Sequence, residues 1–337
     1  MTRLRWGILG PGRIASRIVR GLAASKRGQL VAVASRDLGR AQAFARMYGV
    51  AGAYGSYEAL LAARDVDIVY VSLPNHLHST WTVRALDAGK HVLCEKPLAL
   101  SVAEVDAVTA AAKRNHRVAV EGFMYLHHPQ IRTAIAIARE GALGAIEFVR
   151  GSFSFFLTYP DDPRIDPTMG GGSLWDVGGY PVTFIRRVAG SEPDRLTAEA
   201  RFDGRGVDRT FAGQLRFPGG LVAQFDSSFA EPDRQSLEVV GERATLTLSS
   251  PFLSAPDGPP PSLVEVREGT VSRIDIPAVD QVALEVEDLH AVIIDGTPPL
   301  VDLAFSRGTI ATLVALDAAA RAAAGIEMLR PAIPAIA

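Results

Sequence analysis

Between residues 4 and about 121, short apolar runs alternate with longer amphipathic stretches. Residues 4–9, 30–35, 68–72, 91–95 and 118–121 have the length and the Val, Ile, Leu and Ala content of strands. They are mostly continuous rather than strictly alternating, the pattern expected when helices cover both faces of a parallel sheet. With helical segments between them, the first part of the chain reads as a doubly wound sheet.

After about residue 123 the rhythm changes. A helix is predicted over 130–140, then a long strand-like run over 145–156, rich in Phe, Val and Ser. Further strands are predicted over 195–202, 207–217, 221–229, 236–240, 244–248, 263–267 and 271–276. Turn signals such as Pro218-Gly219-Gly220 and Gly241-Glu242 join several of them, so the second sheet is antiparallel or mixed. Helices over 282–295 and 303–324 close the chain, and Pro-rich 255–262 reads as a surface loop. The expected fold class is α/β. A doubly wound parallel sheet occupies residues 1–122, and an α/β domain with a large, open, mostly antiparallel sheet occupies residues 123–337.

Composition removes several classes of function. The 337 residues are 48% apolar and 21% charged, a globular balance, and exceed what one core usually organises. A formal charge of -2 supplies no field to gather nucleic acid or an anionic membrane surface. The single cysteine, Cys94, closes no intrachain disulfide, which suits a reducing compartment, and the cytoplasm is the expected location. No apolar stretch is read as approaching the roughly 20 residues of a membrane span, because Asp317 and Arg321 interrupt the Ala-rich one near the end. The chain enters a strand-like run at its start, with no secretory leader expected.

Gly10-Pro11-Gly12-Arg13-Ile14-Ala15 reads G-x-G-x-x-A directly after a strand and at the start of a helix. The first Gly permits a tight turn, the second lets the backbone approach a diphosphate, and the small third residue lets helix and strand pack closely. Amides at the helix start then face an anion where the helix dipole favours it. This is the turn of a Rossmann dinucleotide-binding domain. A free ribose 2′-hydroxyl is usually held by Asp or Glu roughly 20 residues beyond it. Here Ser35 and Arg36 stand there, with Arg40 a turn later, groups that suit a 2′-phosphate. NADP is the expected cofactor; if Asp37 turns back to the ribose, the cofactor is NAD.

The glycine turn is followed by Pro74-Asn75-His76-Leu77-His78, Cys94-Glu95-Lys96-Pro97-Leu98, Glu121-Gly122-Phe123-Met124-Tyr125 and Gly170-Gly171-Gly172-Ser173-Leu174-Trp175-Asp176-Val177-Gly178-Gly179-Tyr180. In this order the motifs resemble the Gfo/Idh/MocA oxidoreductases over essentially the whole chain, nearest to the branch with dimeric dihydrodiol dehydrogenase and NADP-dependent D-xylose 1-dehydrogenase. The resemblance implies a Rossmann domain, a second domain whose open sheet mediates dimerisation or higher assembly, and an active site between the two. It implies that Glu95, Lys96 and Pro97 lie beside the nicotinamide, with Lys96 catalytic. Ser72, Leu73, Pro74, Asn75 and His78 would run along the ribose and diphosphate, with Gly10, Gly12, Arg13 and Ile14 at the phosphates.

Asp176 and Tyr180 are spaced i, i+4, so on a helix after the glycine run they project from one face. Removal of a hydroxyl proton as hydride leaves carbon needs a base. A phenol with an ordinary pKa near 10 serves only beside a cation such as Lys96. Asp176 would orient substrate hydroxyls or hold the lysine. The substrate expected is a sugar, cyclic polyol or trans-diol, oxidised at a secondary alcohol or anomeric hydroxyl. Two alternatives stay open: a lyase or glycosidase that retains its nicotinamide through transient redox, and a non-catalytic NADP-binding protein. No metal is expected, since His76, His78, His127 and His128 have no complementary ligand set. Arg164, before the glycine run, reads as a cleft residue or a surface one. Many relatives carry Arg where this chain has Leu126, which would remove a donor from the cleft.

Overall fold

The computed structural model describes residues 3–159, 161–253, 258 and 260–326. The chain begins β1 (Leu4–Leu9), α1 (Ala15–Ala24), β2 (Gly28–Ala34), α2 (Leu38–Tyr48), β3 (Gly52–Tyr54), α3 (Tyr57–Leu61), β4 (Ile68–Val71), α4 (His78–Asp87), β5 (His91–Glu95), α5 (Val102–Asn115) and β6 (Ala119–Gly122). The six strands form one parallel sheet in the order β3-β2-β1-β4-β5-β6. β3 has only three residues, each half-buried, and so lacks the apolar run by which the other five are recognisable. Trp6, Ile8, Val33, Ile68, Tyr70 and Leu93 are buried in the core of this sheet.

The next elements are α6 (Pro129–Arg139), β7 (Ile146–Ser154), α7 (Gly179–Ala189), β8 (Arg195–Phe202), β9 (Asp208–Arg216), β10 (Val222–Ser228), β11 (Arg234–Gly241), β12 (Thr245–Ser249), β13 (Ser262–Arg267) and β14 (Thr270–Asp275). These eight strands form a second sheet, ordered β14-β13-β12-β11-β7-β10-β9-β8. All neighbours are antiparallel except the parallel pair β10 and β7. α7 lies close on β7: a Cβ on Gly151 would meet Pro181 Cβ at 2.6 Å, so glycine is what admits the helix there. Half of the Pro-rich 255–262 segment, residues 255–257 and 259, lies outside the described residues.

Two helices, α8 (Gln281–Asp295) and α9 (Leu303–Ala324), complete the chain. It divides into a unit of residues 1–127 with 280–310 and a unit of residues 128–279 with 311–337. The sequence reading placed everything after residue 122 in the second domain, whereas α8 belongs with the first sheet. The cause is specific packing. Val286 and Leu289 join the first core, Trp6 Nε1 donates to His290 Nε2 at 3.0 Å, and Gly21 and Gly28 leave room for Val282 and His290.

A second correction concerns α9. Its 22 residues have a mean hydropathy of 1.3 in their most apolar window, so by length and composition it could cross a membrane. In the fold Ile310, Leu313, Leu316 and Ala320 are fully buried, as in a core helix, and Asp317 and Arg321 pair with each other.

Candidate active site

Gly10 follows β1 with φ +91°, and a Cβ there would stand 2.9 Å from both Ser72 O and Leu73 Cδ2, so no other residue fits. Gly12 N donates to Gly10 O at 2.8 Å, and nothing lies within 4 Å of where a Gly12 Cβ would project. α1 starts from Ile14 with no side chain capping it, and Arg13 is exposed beside the turn. An open backbone face at the uncapped start of a ten-residue helix fits a dinucleotide diphosphate. Ser72 Oγ donates to Leu9 O at 3.1 Å and Gly10 O at 2.8 Å, fixing the end of β4 against this turn.

At the end of β2, Ser35 is buried and its Oγ accepts from Asp37 N at 3.2 Å. Asp37 caps α2, its Oδ1 accepting from Gly39 N at 2.8 Å and Arg40 N at 3.3 Å. Arg36 and Arg40 are exposed and flank Tyr57, whose phenol is raised by burial against the opposing influence of both guanidiniums. The corner therefore offers two exposed cations, while the Asp37 carboxylate caps a helix.

The loops after β4 and β5 are tied together by His78. Its ring is buried, Nε2 2.6 Å from Leu73 O and Nδ1 2.7 Å from Pro97 O. Burial pushes its pKa down to about 4, although both carbonyls favour the protonated ring. Both nitrogens face backbone carbonyls, so His78 fixes the positions of Leu73 and Pro97. Asn75 opens the 3₁₀ turn Asn75–Leu77 that leads into α4. Leu98 N donates to Glu121 Oε1 at 2.8 Å, which holds the chain just beyond Pro97. Glu95 accepts from the Tyr70 hydroxyl. Burial raises its pKa, opposed by Tyr70 and by the adjacent Lys96, which is itself partly exposed at the strand end. Leu126 is interior, 2% exposed, and packs in the apolar core.

In the second unit the glycine run leads not into a plain α-helix but into a π-helical turn, Leu174–Gly178, that continues as α7. Such turns recur at functional sites. The loop ahead of it folds back, with Gly172 N donating to Arg164 O at 2.9 Å, which sets Arg164 beside the turn. Arg164 is bidentate to Asp162, at 2.9 and 2.8 Å, and its Nη1 lies 3.5 Å from Asp176 Oδ2. Asp162 raises the guanidinium's pKa above its ordinary value and Asp176 adds to this. The sequence left the role of Arg164 open; the structure makes it the cation that orients Asp176. The Asp162-Pro163 pair, a cap followed by proline at the first helical position, was the local signal for that fold.

Tyr180 is 5% exposed, one turn beyond Asp176, with its ring edge-on to Phe153 at 5.2 Å and Phe252 at 5.5 Å. Asp208 on β9 was missed by sequence reading because a buried carboxylate in a strand carries no motif. Its Oδ2 accepts from Ser173 Oγ at 2.7 Å and Leu174 N at 2.8 Å. Among the described residues no group of three or more His, Cys, Asp and Glu could hold a metal ion.

These features have counterparts in known proteins. Residues 4–123 match the oxidoreductase family with an NAD-binding Rossmann fold, and residues 131–247 match the Gfo/Idh/MocA C-terminal domain. The chain is 37% identical to NADP(+)-dependent D-xylose 1-dehydrogenase 2 of Haloferax volcanii, over 96% of this chain and 100% of that one. It is 34% identical to trans-1,2-dihydrobenzene-1,2-diol dehydrogenase of Bos taurus, over 74% and 76%. A solved 3-ketoreductase from Actinomadura kijaniata, in complex with NADP and TDP-benzene, matches with a TM-score of 0.89 at 30% identity, covering 94% of this chain and 98% of that one. With a glycine turn, a strand-end Glu-Lys-Pro and a glycine-led Asp-Tyr helix on these two sheets, the chain belongs to the Gfo/Idh/MocA family of NAD(P)-dependent oxidoreductases acting on CH–OH groups.

Proposed function

We propose that this protein is an NADP-dependent oxidoreductase acting on a secondary alcohol or the anomeric hydroxyl of a sugar, cyclic polyol or trans-diol. NADP supplies the hydride acceptor or donor when bound. Gly10, Gly12, Arg13 and Ile14 would receive its diphosphate, Ser35, Arg36 and Arg40 its 2′-phosphate, and Ser72 to Asn75 with Glu95 to Pro97 the remainder. The observation that carries the choice of NADP is the use of Asp37 as the α2 cap beside the exposed cations Arg36 and Arg40. The xylose dehydrogenase and the ketoreductase, both NADP proteins by name, support it.

Lys96 would offset negative charge developing on the substrate oxygen, and Tyr180 would take or return the hydroxyl proton. Asp176, held by Arg164, would accept from a neighbouring substrate hydroxyl and so orient the ring. The buried rings of Phe153 and Phe252 pack around Tyr180 and hold its phenol in place. We further propose a cytoplasmic protein that assembles as a homodimer or larger homo-oligomer through its eight-stranded sheet.

Turnover of a panel of aldoses, cyclitols and trans-diols with NADP and with NAD tests this, read as change in nicotinamide absorbance matched to product. Product formed without net absorbance change would instead support retained-cofactor chemistry. Arg36→Ala is expected to raise KM for NADP by about 10–100-fold, the worth of one charge-assisted phosphate contact, while leaving KM for NAD unchanged. Equal effects on both cofactors would overturn the NADP assignment.

A further inference from the structure

The turn that carries Asp176 begins at a buried carboxylate from another part of the second unit. Asp208 is 1% exposed, and its Oδ2 accepts from both Ser173 Oγ and Leu174 N at the start of the π-helical turn. Ser173 is itself buried and interacts with Ser227 O at 3.2 Å and Ser227 Oγ at 3.1 Å on β10. Gly172 has φ +134°, and a Cβ there would lie 2.1 Å from Asp208 Oδ1, so the last glycine of the run is the residue against which the carboxylate seats. An acceptor at a helix start satisfies amides that the helix cannot, and a negative charge there meets the positive end of its dipole. In most helices the capping side chain comes from the residue just before the first turn; Ser173 makes no such bond here, and Asp208 supplies it from a strand.

We propose that Asp208 is a positioning residue for the reaction: as a carboxylate it clamps the first turn of the Asp176–Tyr180 segment onto β9, and protonation loosens that turn. The proposal rests on the roles given above to Asp176 and Tyr180. The charged groups facing Asp208 are Asp317 and Arg321 on α9, which oppose each other, and Arg321 is engaged with Asp317 at 2.9 Å. Burial is the dominant influence and pushes the Asp208 pKa up to about 7, against the hydrogen bonds from Ser173 and Leu174. The clamp therefore changes state near neutrality.

Two signs follow, and they are opposite. Folding raises this pKa from 3.8 to about 7, so the folded state holds the extra proton between those values and the group's contribution to global stability falls as pH rises through that window. Local order of the turn rises over the same window, because the ionised acceptor makes the stronger bonds. A residue that merely filled space would produce neither trend.

The test is hydrogen–deuterium exchange across residues 170–180 of the full-length protein as a function of pH, corrected for intrinsic rates, beside kcat, KM and NADP affinity. Wild type is expected to gain protection in this segment, and kcat, as pH rises through about 7. Asp208→Asn, which keeps an acceptor without the charge, should flatten the protection profile and remove from the kcat profile the step near pH 7 that follows it. Asp208→Ala should lose protection at every pH and lower kcat about 100-fold, the cost of a misplaced catalytic group, with NADP affinity unchanged. Should that variant not fold, Ser173→Ala removes one of the two donors and must show the same direction of change. Unaltered protection in Asp208→Ala, or a pH-dependent protection profile surviving in Asp208→Asn, overturns the clamp. Lost protection with unaltered kcat keeps the clamp and instead overturns the assignment of Asp176 and Tyr180.

Discussion

Lys96→Ala is expected to abolish nicotinamide-coupled turnover while NADP binds within a few-fold of the wild-type affinity. The ammonium follows β5 at the carboxyl edge of the parallel sheet, where ligands of such sheets bind. Its backbone is fixed on both sides, by the Tyr70 bond to Glu95 and by the His78 and Glu121 bonds to Pro97 O and Leu98 N. With the chain on either side of Lys96 held by these bonds, the strand end should keep its place in the alanine variant. The loss should fall on kcat by about 10³-fold or more, because charge compensation and proton handling are both removed. NADP affinity should largely persist, since the glycine turn and the Ser35–Arg36 corner would hold the diphosphate and the 2′-phosphate without the Lys96 ammonium. Titration of reduced-cofactor fluorescence together with steady-state rates decides it. Normal kcat in the variant removes Lys96 from the chemistry.

What the sequence disclosed of this fold followed from local physics. Five continuous apolar strands and the glycine turn are legible because parallel-strand burial and backbone approach to a diphosphate each demand particular residues at fixed spacing. β3 escaped because three half-buried residues carry no period. The return of α8 to the first sheet escaped because the Trp6–His290 bond spans 284 positions, and amphipathic pattern says which face a helix buries but not against what. The same limit governs the site. The motifs marked Lys96, Asp176 and Tyr180 by type and spacing. The residues that position them, namely His78, Glu121, Arg164 and Asp208, are ordinary side chains whose meaning lies in partners brought by the fold. His78 stood inside a recognisable motif, and even so only its two carbonyl partners show that it joins loops.

Tyr180→Phe is expected to lower kcat by about 10²–10⁴-fold with little change in melting temperature. Phenylalanine keeps the ring that packs edge-on against Phe153 and Phe252, so the core around it is preserved and only the hydroxyl is lost. One intramolecular hydrogen bond is worth about 1 kcal/mol of stability, whereas loss of the group that exchanges the substrate proton acts on the chemical step. A fall in stability without a fall in kcat would make Tyr180 a packing residue. The variant also offers a test of mechanism that neither substitution gives alone. If Asp208 acts through the geometry of the turn that leads to Tyr180, removing the phenolic hydroxyl first should leave Asp208→Ala little further rate to lose. Two independent residues would instead multiply their effects. Full multiplication in the double variant would mean that Asp208 influences turnover by a route that does not pass through the hydroxyl, while strong non-additivity would place clamp and proton exchange in one physical unit.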